Sequence, residues 1–275
     1  MCDSLIKKAK KGDRQAFTEL LSAELPQLRR IVRRLIGHPE DSEDILQETV
    51  TKAWTRITTF EEKSLFSTWV TSIATRAAVD HLRTQKRWRT EAQVAYANLC
   101  ASSQDLSGEV MTALSDPEFS YDVQQHVAYC FTCVGRSLPA DEQAALVLRD
   151  VLDLSSREAS TVLGVSDSVL RHRLSAARTA MQDKFEGLCA LVNKKGICHQ
   201  CAGLKMAAGA TGAKTLFPEI DDFADRMAVV RAAEPGTMSS LHDIFWRRTK
   251  QIEDAGEGSV EPLSGCGENE DASKA

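Results

Sequence analysis

Apolar positions in this chain recur at intervals of three and four residues almost from end to end, and strict alternation is nearly absent. That period marks helices packed through one face, so the pattern predicts an all-α protein. Residues 3–36 read as two helices, with Pro26 near the start of the second. His38-Pro39-Glu40-Asp41 interrupts the pattern, and Asp41 or Ser42 can cap the helix that follows. In that helix Leu46, Val50, Ala53 and Trp54, continued by Ile57, share one face, and Asp44, Gln47, Glu48, Thr51 and Thr55 share the other. A turn is expected near Phe60 to Ser64. Beyond it, Phe66, Trp69, Val70, Ile73, Ala77 and Leu82 mark an apolar face running into basic residues at 83–89. Residues 1–95 therefore read as one helical domain.

Residues 96–120 are rich in Ser, Asp and Gly with weak periodicity, which predicts a linker. A second helical domain is expected over 121–188. Within it, Leu154 to Met181 carries the marks of a helix-turn-helix. Ser155 or Ser156 caps a first helix with Ala159, Val162 and Leu163 inward, Gly164 makes the turn, and Ser166 caps a second helix. The second helix has Leu170, Leu174, Ala177 and Met181 as its core side and presents Asp167, Ser168, Val169, Arg171, His172 and Arg173 outward. Such a helix can enter a major groove, where polar side chains reach base edges and arginines reach guanine or phosphate. A plain αα-hairpin is the alternative. The extension at 189–252 holds two amphipathic pieces, Phe217–Arg231 (Phe217, Ile220, Phe223, Met227, Val230) and Leu241–Ile252 (Leu241, Ile244, Phe245, Trp246). Both are too short to stand alone and need an apolar partner surface, here expected to be the two domains or a partner protein. The acidic, Gly/Ser-containing stretch 253–275 is expected to be disordered.

Charge sharpens this picture. The net charge of −5 hides an asymmetry: residues 1–90 hold 17 Lys+Arg against 12 Asp+Glu, and the remainder holds 17 against 27. A basic end is compatible with polyanion binding even in an acidic protein. No apolar run approaches the roughly 18 residues needed to span a bilayer. The N-terminal MCDSLIKKAKKGD lacks an apolar signal-peptide core, so the expected compartment is the cytoplasm. Eight cysteines in that compartment point to metal or redox chemistry. His126-x3-Cys130-x2-Cys133 and Cys198-His199-Gln200-Cys201 can converge into a tetrahedral thiolate site of the kind zinc favours. The expected ligands are Cys130, Cys133, Cys198 and Cys201, with His126, Cys189 and His199 as alternates. Buried thiols without a ligand role, or a dithiol-disulfide switch, are competing readings.

Both helical blocks resemble one family, the bacterial RNA polymerase sigma factors of the extracytoplasmic-function (ECF) type. DSEDILQETVTKAW looks like the helix of conserved region 2, FSTWVTSIATRAAVDHLRTQKR like the adjoining promoter-melting segment, and LPADEQAALVLRDVLDLSSREASTVLGVSDSVLRHRLSAAR like region 4. The resemblance implies that Asp44, Gln47 and Glu48 dock on the clamp helices of the polymerase largest subunit. It assigns Lys63, Phe66, Ser67 and Trp69 to the segment that holds an unpaired promoter base. An aromatic-rimmed pocket could compensate a base for lost stacking, although core packing is the competing role for Phe66 and Trp69. Arg76, Asp80, Arg83, Lys86 and Arg87 would follow the −10 element, and Ser166, Asp167, Ser168, Val169, Arg171, His172 and Arg173 the −35 element.

Two departures leave the promoter sequence open. Ala74-Thr75-Arg76 stands where the family commonly has Ala-Arg-Asn, and Val169 stands at a position that is often Thr. The implied partners are core RNA polymerase, through clamp helices and flap, and promoter DNA, with an anti-sigma factor as a further candidate. The HxxxCxxC spacing is also similar to that of zinc-binding anti-sigma factors. No nucleotide-binding loop or nucleophile-base constellation points to an enzyme. The alternative is a metal- or redox-responsive helix-turn-helix regulator that does not serve polymerase.

Overall fold

The computed structural model describes residues 2–92, 94–96, 108, 112, 123–190, 192–193, 195–198, 200, 220, 222–233 and 240–255. Among these residues the protein is all-α, with a single isolated parallel bridge between Cys189 and Cys198. Helices α1 (Cys2–Lys10), α2 (Arg14–Ile36), α3 (Pro39–Arg56) and α4 (Phe66–Thr84) form an N-terminal bundle. Helices α5 (Val123–Gly135), α6 (Ala140–Leu146), α7 (Ser156–Leu163) and α8 (Asp167–Leu188) form the second unit, and a π-helical turn at Val147–Val151 prolongs α6. The extension contributes α9 (Phe223–Ala232) and α10 (Ser240–Ala255). Most of the 96–120 linker, the Ala/Gly-rich stretch after Cys201, Phe217, and residues 256–275 lie outside the described residues.

Local signals explain most boundaries. Asp13 caps α2 by accepting from the backbone N–H groups of Gln15 and Ala16. The break between the first two helices therefore falls at residues 11–13, and Pro26 sits inside α2 rather than near its start. The buried stripe Leu20, Leu21, Leu28, Ile31 and Leu35 runs past the proline on both sides, and that packing outweighs the hydrogen bond the ring cannot donate. The expected cap at Asp41 or Ser42 is also displaced. Pro39 occupies the first turn of α3 with His38 as its cap residue, and the Ser42 hydroxyl donates back to the His38 carbonyl (2.6 Å). In the second unit, Ser155 and Glu158 form a reciprocal capping box, Gly164 ends α7 in the left-handed region, and Ser166 caps α8.

The two units share one core. A contiguous set of buried side chains runs from Leu28, Ile31 and Leu35 through Val70, Ile73 and Ala77 to Val127, Leu148, Leu170, Met181 and Phe185. Helices α7 and α6 pack directly on α4. Polar groups close the seam: Gln143 Nε2 donates to the Leu35 carbonyl (3.0 Å), one of the four that α2 leaves without an intrahelical partner. The Trp88 N–H donates to the Arg136 carbonyl (3.2 Å), and Lys184 donates to Thr90 (2.8 Å).

The extension docks on this seam through an unexpected face. On α9, Met227 and Val230 are buried as the periodicity requires. On α10 the buried positions are His242, Trp246, Thr249 and Glu253, whereas Ile244 and Phe245 are only half-buried. The reason is the surface α10 meets: His126, Tyr129, Trp88 and Arg89 offer aromatic faces and hydrogen-bonding groups. His242 stacks on Tyr129 (4.6 Å between centroids) and its Nε2 lies 3.1 Å from His126 Nδ1. Trp246 packs on Trp88 (4.7 Å). Glu253 belongs to the stretch expected to be disordered, yet it is helical, buried and bonded to Arg89 through the backbone N–H (2.9 Å) and Nε (2.8 Å).

Two consequences can be measured. Burial pushes the His242 imidazole down to about 4, and burial together with His242 and Arg226 lowers His126 well below its ordinary value. The unfolded chain takes up these protons near pH 6.5 and the folded chain resists, so stability holds above that pH and falls as pH drops toward 4. Urea unfolding at pH 7 and pH 4.5 should differ by about 3 kcal/mol more in the native chain than in His242→Phe. Equal pH dependence would refute the assignment. Gly37 has φ +87°, and a β-carbon there would lie 2.7 Å from both Trp246 and Thr132. Gly37→Ala should therefore cost about 1–3 kcal/mol, and a melting temperature equal to that of the unchanged protein would count against this contact.

Candidate nucleic-acid interface

Helix α3 turns Ile45, Leu46, Thr49 and Ala53 into the core and leaves Asp44, Gln47 and Glu48 exposed together. Its orientation is also fixed at the flank of the patch, where Glu43 lies one turn before Gln47. Glu43 accepts from Arg29 Nε (3.0 Å) and Arg33 (3.0 Å), and these guanidinium groups hold its carboxyl below the ordinary range. Glu48 also pairs with Lys52 one turn on (2.5 Å). The patch is thus a polar, net acidic ledge on a rigid helix, a surface suited to a basic partner.

The loop before α4 and the start of α4 place the next residues. Lys63 is exposed and paired with Glu61. Phe66 is a core residue: its ring packs against Phe60 (6.0 Å) and Trp69 (5.7 Å) and is 5% exposed. It cannot stack on a base without unpacking. Ser67 and Trp69 are half-buried at the rim. Leu65, which the periodicity did not single out, is 75% exposed beside them and is the apolar side chain that loop presents to solvent. Further along, Arg76, Asp80 and Arg83 line the exposed side of α4, and Lys86 and Arg87 follow in the extended segment after it. The thread of basic residues is interrupted by Trp88, which is buried.

The helix-turn-helix presents all of the expected set but Arg173. Ser166, Asp167, Ser168, Val169, Arg171 and His172 are exposed, and Val169, at 40%, is an unusually open apolar side chain. Asp167 sits in the first turn of α8 and pairs with Arg171 (3.4 Å). Arg173 is half-buried and does not face solvent freely. It reaches Asp141 at 3.2 Å, and the same carboxylate accepts two bonds from Arg83 of α4 (3.0 and 2.9 Å). Asp141 stands in the first turn of α6, and only the fold brings it between these two arginines.

The cysteines divide. Cys130 and Cys133 share α5, but Cys130 joins the main core and Cys133 the aromatic cluster of Trp88, Tyr129 and Trp246. The chain turns between Asn193 and Gly196, with the Lys195 N–H donating to Asn193 Oδ1 (3.1 Å) and the Gly196 N–H to the Asn193 carbonyl (2.7 Å). It returns the chain so that the Cys198 N–H donates to the Leu188 carbonyl (2.8 Å), setting Cys198 beside Cys189. Cys189 Sγ accepts from Arg226 (3.0 Å), a fully buried guanidinium that also covers the Phe185 ring (4.0 Å). Cys201 and His199 lie outside the described residues, and among those described no three His, Cys, Asp or Glu side chains converge as metal ligands. Of the four expected ligands Cys130, Cys133 and Cys198 are described and Cys201 is not, so the expected zinc set is described only in part. No described helix is long and apolar enough to cross a membrane.

The chain is similar to known proteins in two regions. Residues 20–88 match the family described as Sigma-70 region 2, and residues 131–181 match Sigma-70, region 4. The chain is 28% identical to the ECF RNA polymerase sigma factor SigW of Bacillus subtilis (strain 168) over 192 residues, 68% of this chain and 98% of that one. It is also 28% identical to the ECF RNA polymerase sigma-E factor of Escherichia coli (strain K12) over 187 residues, 67% and 94% of the respective chains. Among solved structures, CnrH in complex with the cytosolic domain of CnrY aligns with 66% of this chain and 95% of that one, at 20% identity and TM-score 0.41. The sigma factor RpoE in complex with the anti-sigma factor NepR from Bartonella quintana aligns with 62% and 96%, at 22% identity and TM-score 0.41.

Both family regions stop before Cys189, so the thiols at 189 and 198 are read from this chain alone. Burial pushes the Cys198 thiol up to about 12 and the Cys133 thiol higher still. Cys198 is half-buried and Cys133 buried, so native alkylation should label Cys198 first and Cys133 only on unfolding, as read by peptide mass spectrometry. Equal labelling rates would contradict this placement.

Proposed function

We infer the working surfaces of this chain from its membership of the ECF RNA polymerase sigma factors, to which it belongs. It is a subunit that joins RNA polymerase and directs transcription initiation. The finer reading is that Asp44, Gln47 and Glu48 are the polymerase-docking face. The observation that carries it is their joint exposure on a helix whose opposite side is locked by the core and whose flank is held by Glu43 on Arg29 and Arg33. Lys63, Ser67, Trp69, Arg76, Asp80, Arg83, Lys86 and Arg87 then serve the −10 element and its opening. Leu65 joins that surface, and Phe66 supports it from beneath.

The exposed start of α8, Ser166 to His172, serves the −35 element in the major groove, with Arg173 joining when Asp141 releases it. Asp167 suits either the helix N-terminus or a cytosine amino group. The chain performs no catalysis of its own. An anti-sigma factor, if it has one, would compete for the α3 and α8 faces.

In vitro transcription with core polymerase on genomic templates, with transcript ends mapped, tests the docking face. Asp44→Arg with Glu48→Arg should lower core-dependent transcripts roughly tenfold or more, because like charges at a steering interface cost several kcal/mol. Undiminished transcripts would remove these residues from the interface. DNA binding with no core-dependent transcript from the unchanged chain would favour a stand-alone regulator.

A further inference from the structure

We propose that the two extension helices, α9 and α10, are a built-in inhibitor, a latch that fastens the helix-turn-helix onto the −10-reading helix. The inference rests on the reading of α4 and α8 as the two promoter-reading helices. In this structure the helix-turn-helix unit packs on α4 through α6 and α7. Arg83 and Arg173 meet on the single carboxylate of Asp141, and the Arg76 guanidinium lies against Gly164 at the turn of the helix-turn-helix. Elements at −10 and −35 lie about 25 base pairs apart, roughly 85 Å at ~3.4 Å per step. Side chains that share one carboxylate cannot reach both, so the arrangement seen is closed to promoter DNA.

The arginine pairs on Asp141 do not hold this state by themselves. Arg83 is more than half exposed and Asp141 is partly so, and ion pairs of that kind contribute little. The stronger contacts come from the extension, and each of its helices grips both units. On α10, His242 lies against His126 and Tyr129 of α5, and Asp243 reaches His38 of the N-terminal bundle (3.1 Å). Trp246 fills the space between Trp88 on one side and Tyr129 on the other, over the bare backbone of Gly37. Glu253, 4% exposed, is bonded twice to Arg89. On α9, Met227 and Val230 are buried where the helix packs on α5, while Arg34 of α2 donates to the Ala233 carbonyl at its end.

A segment bonded to two units can satisfy those bonds only when the units are together, so it shifts the population toward the closed form. Lys250 also approaches Asp41 (3.6 Å), one turn before Asp44, which brings α10 to the edge of the docking face. Binding polymerase and promoter therefore requires the latch to let go. Apparent affinity is reduced by the fraction of molecules that are open.

The test uses the full chain and two variants confined to the extension. Trp246→Ala removes the aromatic wedge, and Asp243→Asn with Glu253→Gln removes the charged grips while keeping the packing. Circular dichroism reports folding, small-angle scattering reports opening, and fluorescence titration reports affinity for core polymerase. Should Trp246→Ala lose helix content beyond the extension, the charged-grip variant carries the comparison. An opened variant should show a larger radius of gyration and bind core roughly tenfold more tightly, with a matching rise in transcripts. Folded variants that stay compact would overturn the latch. Variants that open but bind core no better than a native chain that does bind would overturn the inhibition. If neither native chain nor opened variant binds core, the sigma reading fails and the inhibitor role fails with it.

Discussion

The C-terminal end of α2 is the point on which the rest of the structure depends. Within five residues, all three parts of the chain converge there. Arg34 donates to the end of α9, the Leu35 carbonyl accepts Gln143 from α6, Gly37 lies beneath Trp246 and Thr132, and His38 meets Asp243. A helix end leaves carbonyls without intrahelical partners, and here those groups become the seats for other elements. The absence of a side chain at Gly37 matters most. Its left-handed backbone ends α2, and its bare Cα lets an indole ring close over the junction.

From that node the energetic hierarchy is plain. The continuous apolar core holds the two helical units against each other, the buried polar contacts of Gln143 and Glu253 select one register, and the exposed ion pairs contribute little. Function draws on the last group. The arginines expected to meet DNA, Arg83 and Arg173, sit in the pairs that are easiest to exchange, so a phosphate backbone can replace Asp141 once the units separate. Asp44, Gln47 and Glu48 remain on a surface the core does not need.

Much of this was legible from local sequence. The cap-glycine-cap grammar of Ser155, Gly164 and Ser166 is written in side chains that bond within four residues, and the 3.6-residue stripe of α8 needs no knowledge of its partner. The errors share one cause. Pro26, expected near a helix start, lies inside α2 because the buried stripe on both sides of it belongs to tertiary packing. On α10 periodicity finds Trp246 but not His242, Thr249 and Glu253, which are buried against polar and aromatic groups rather than aliphatic ones.

The sequence by itself determined which segments are helices, where the helix-turn-helix turns, and which side of α3 is polar. These follow from backbone preference, capping and periodicity, all of which act over a few residues. Only the tertiary structure decided that Asp141 joins Arg83 to Arg173, that Glu253 is held by Arg89, and that α10 rests on Gly37. Those pairs are separated by up to more than 200 positions, and their energies arise from burial and exclusion of water, which no local pattern records.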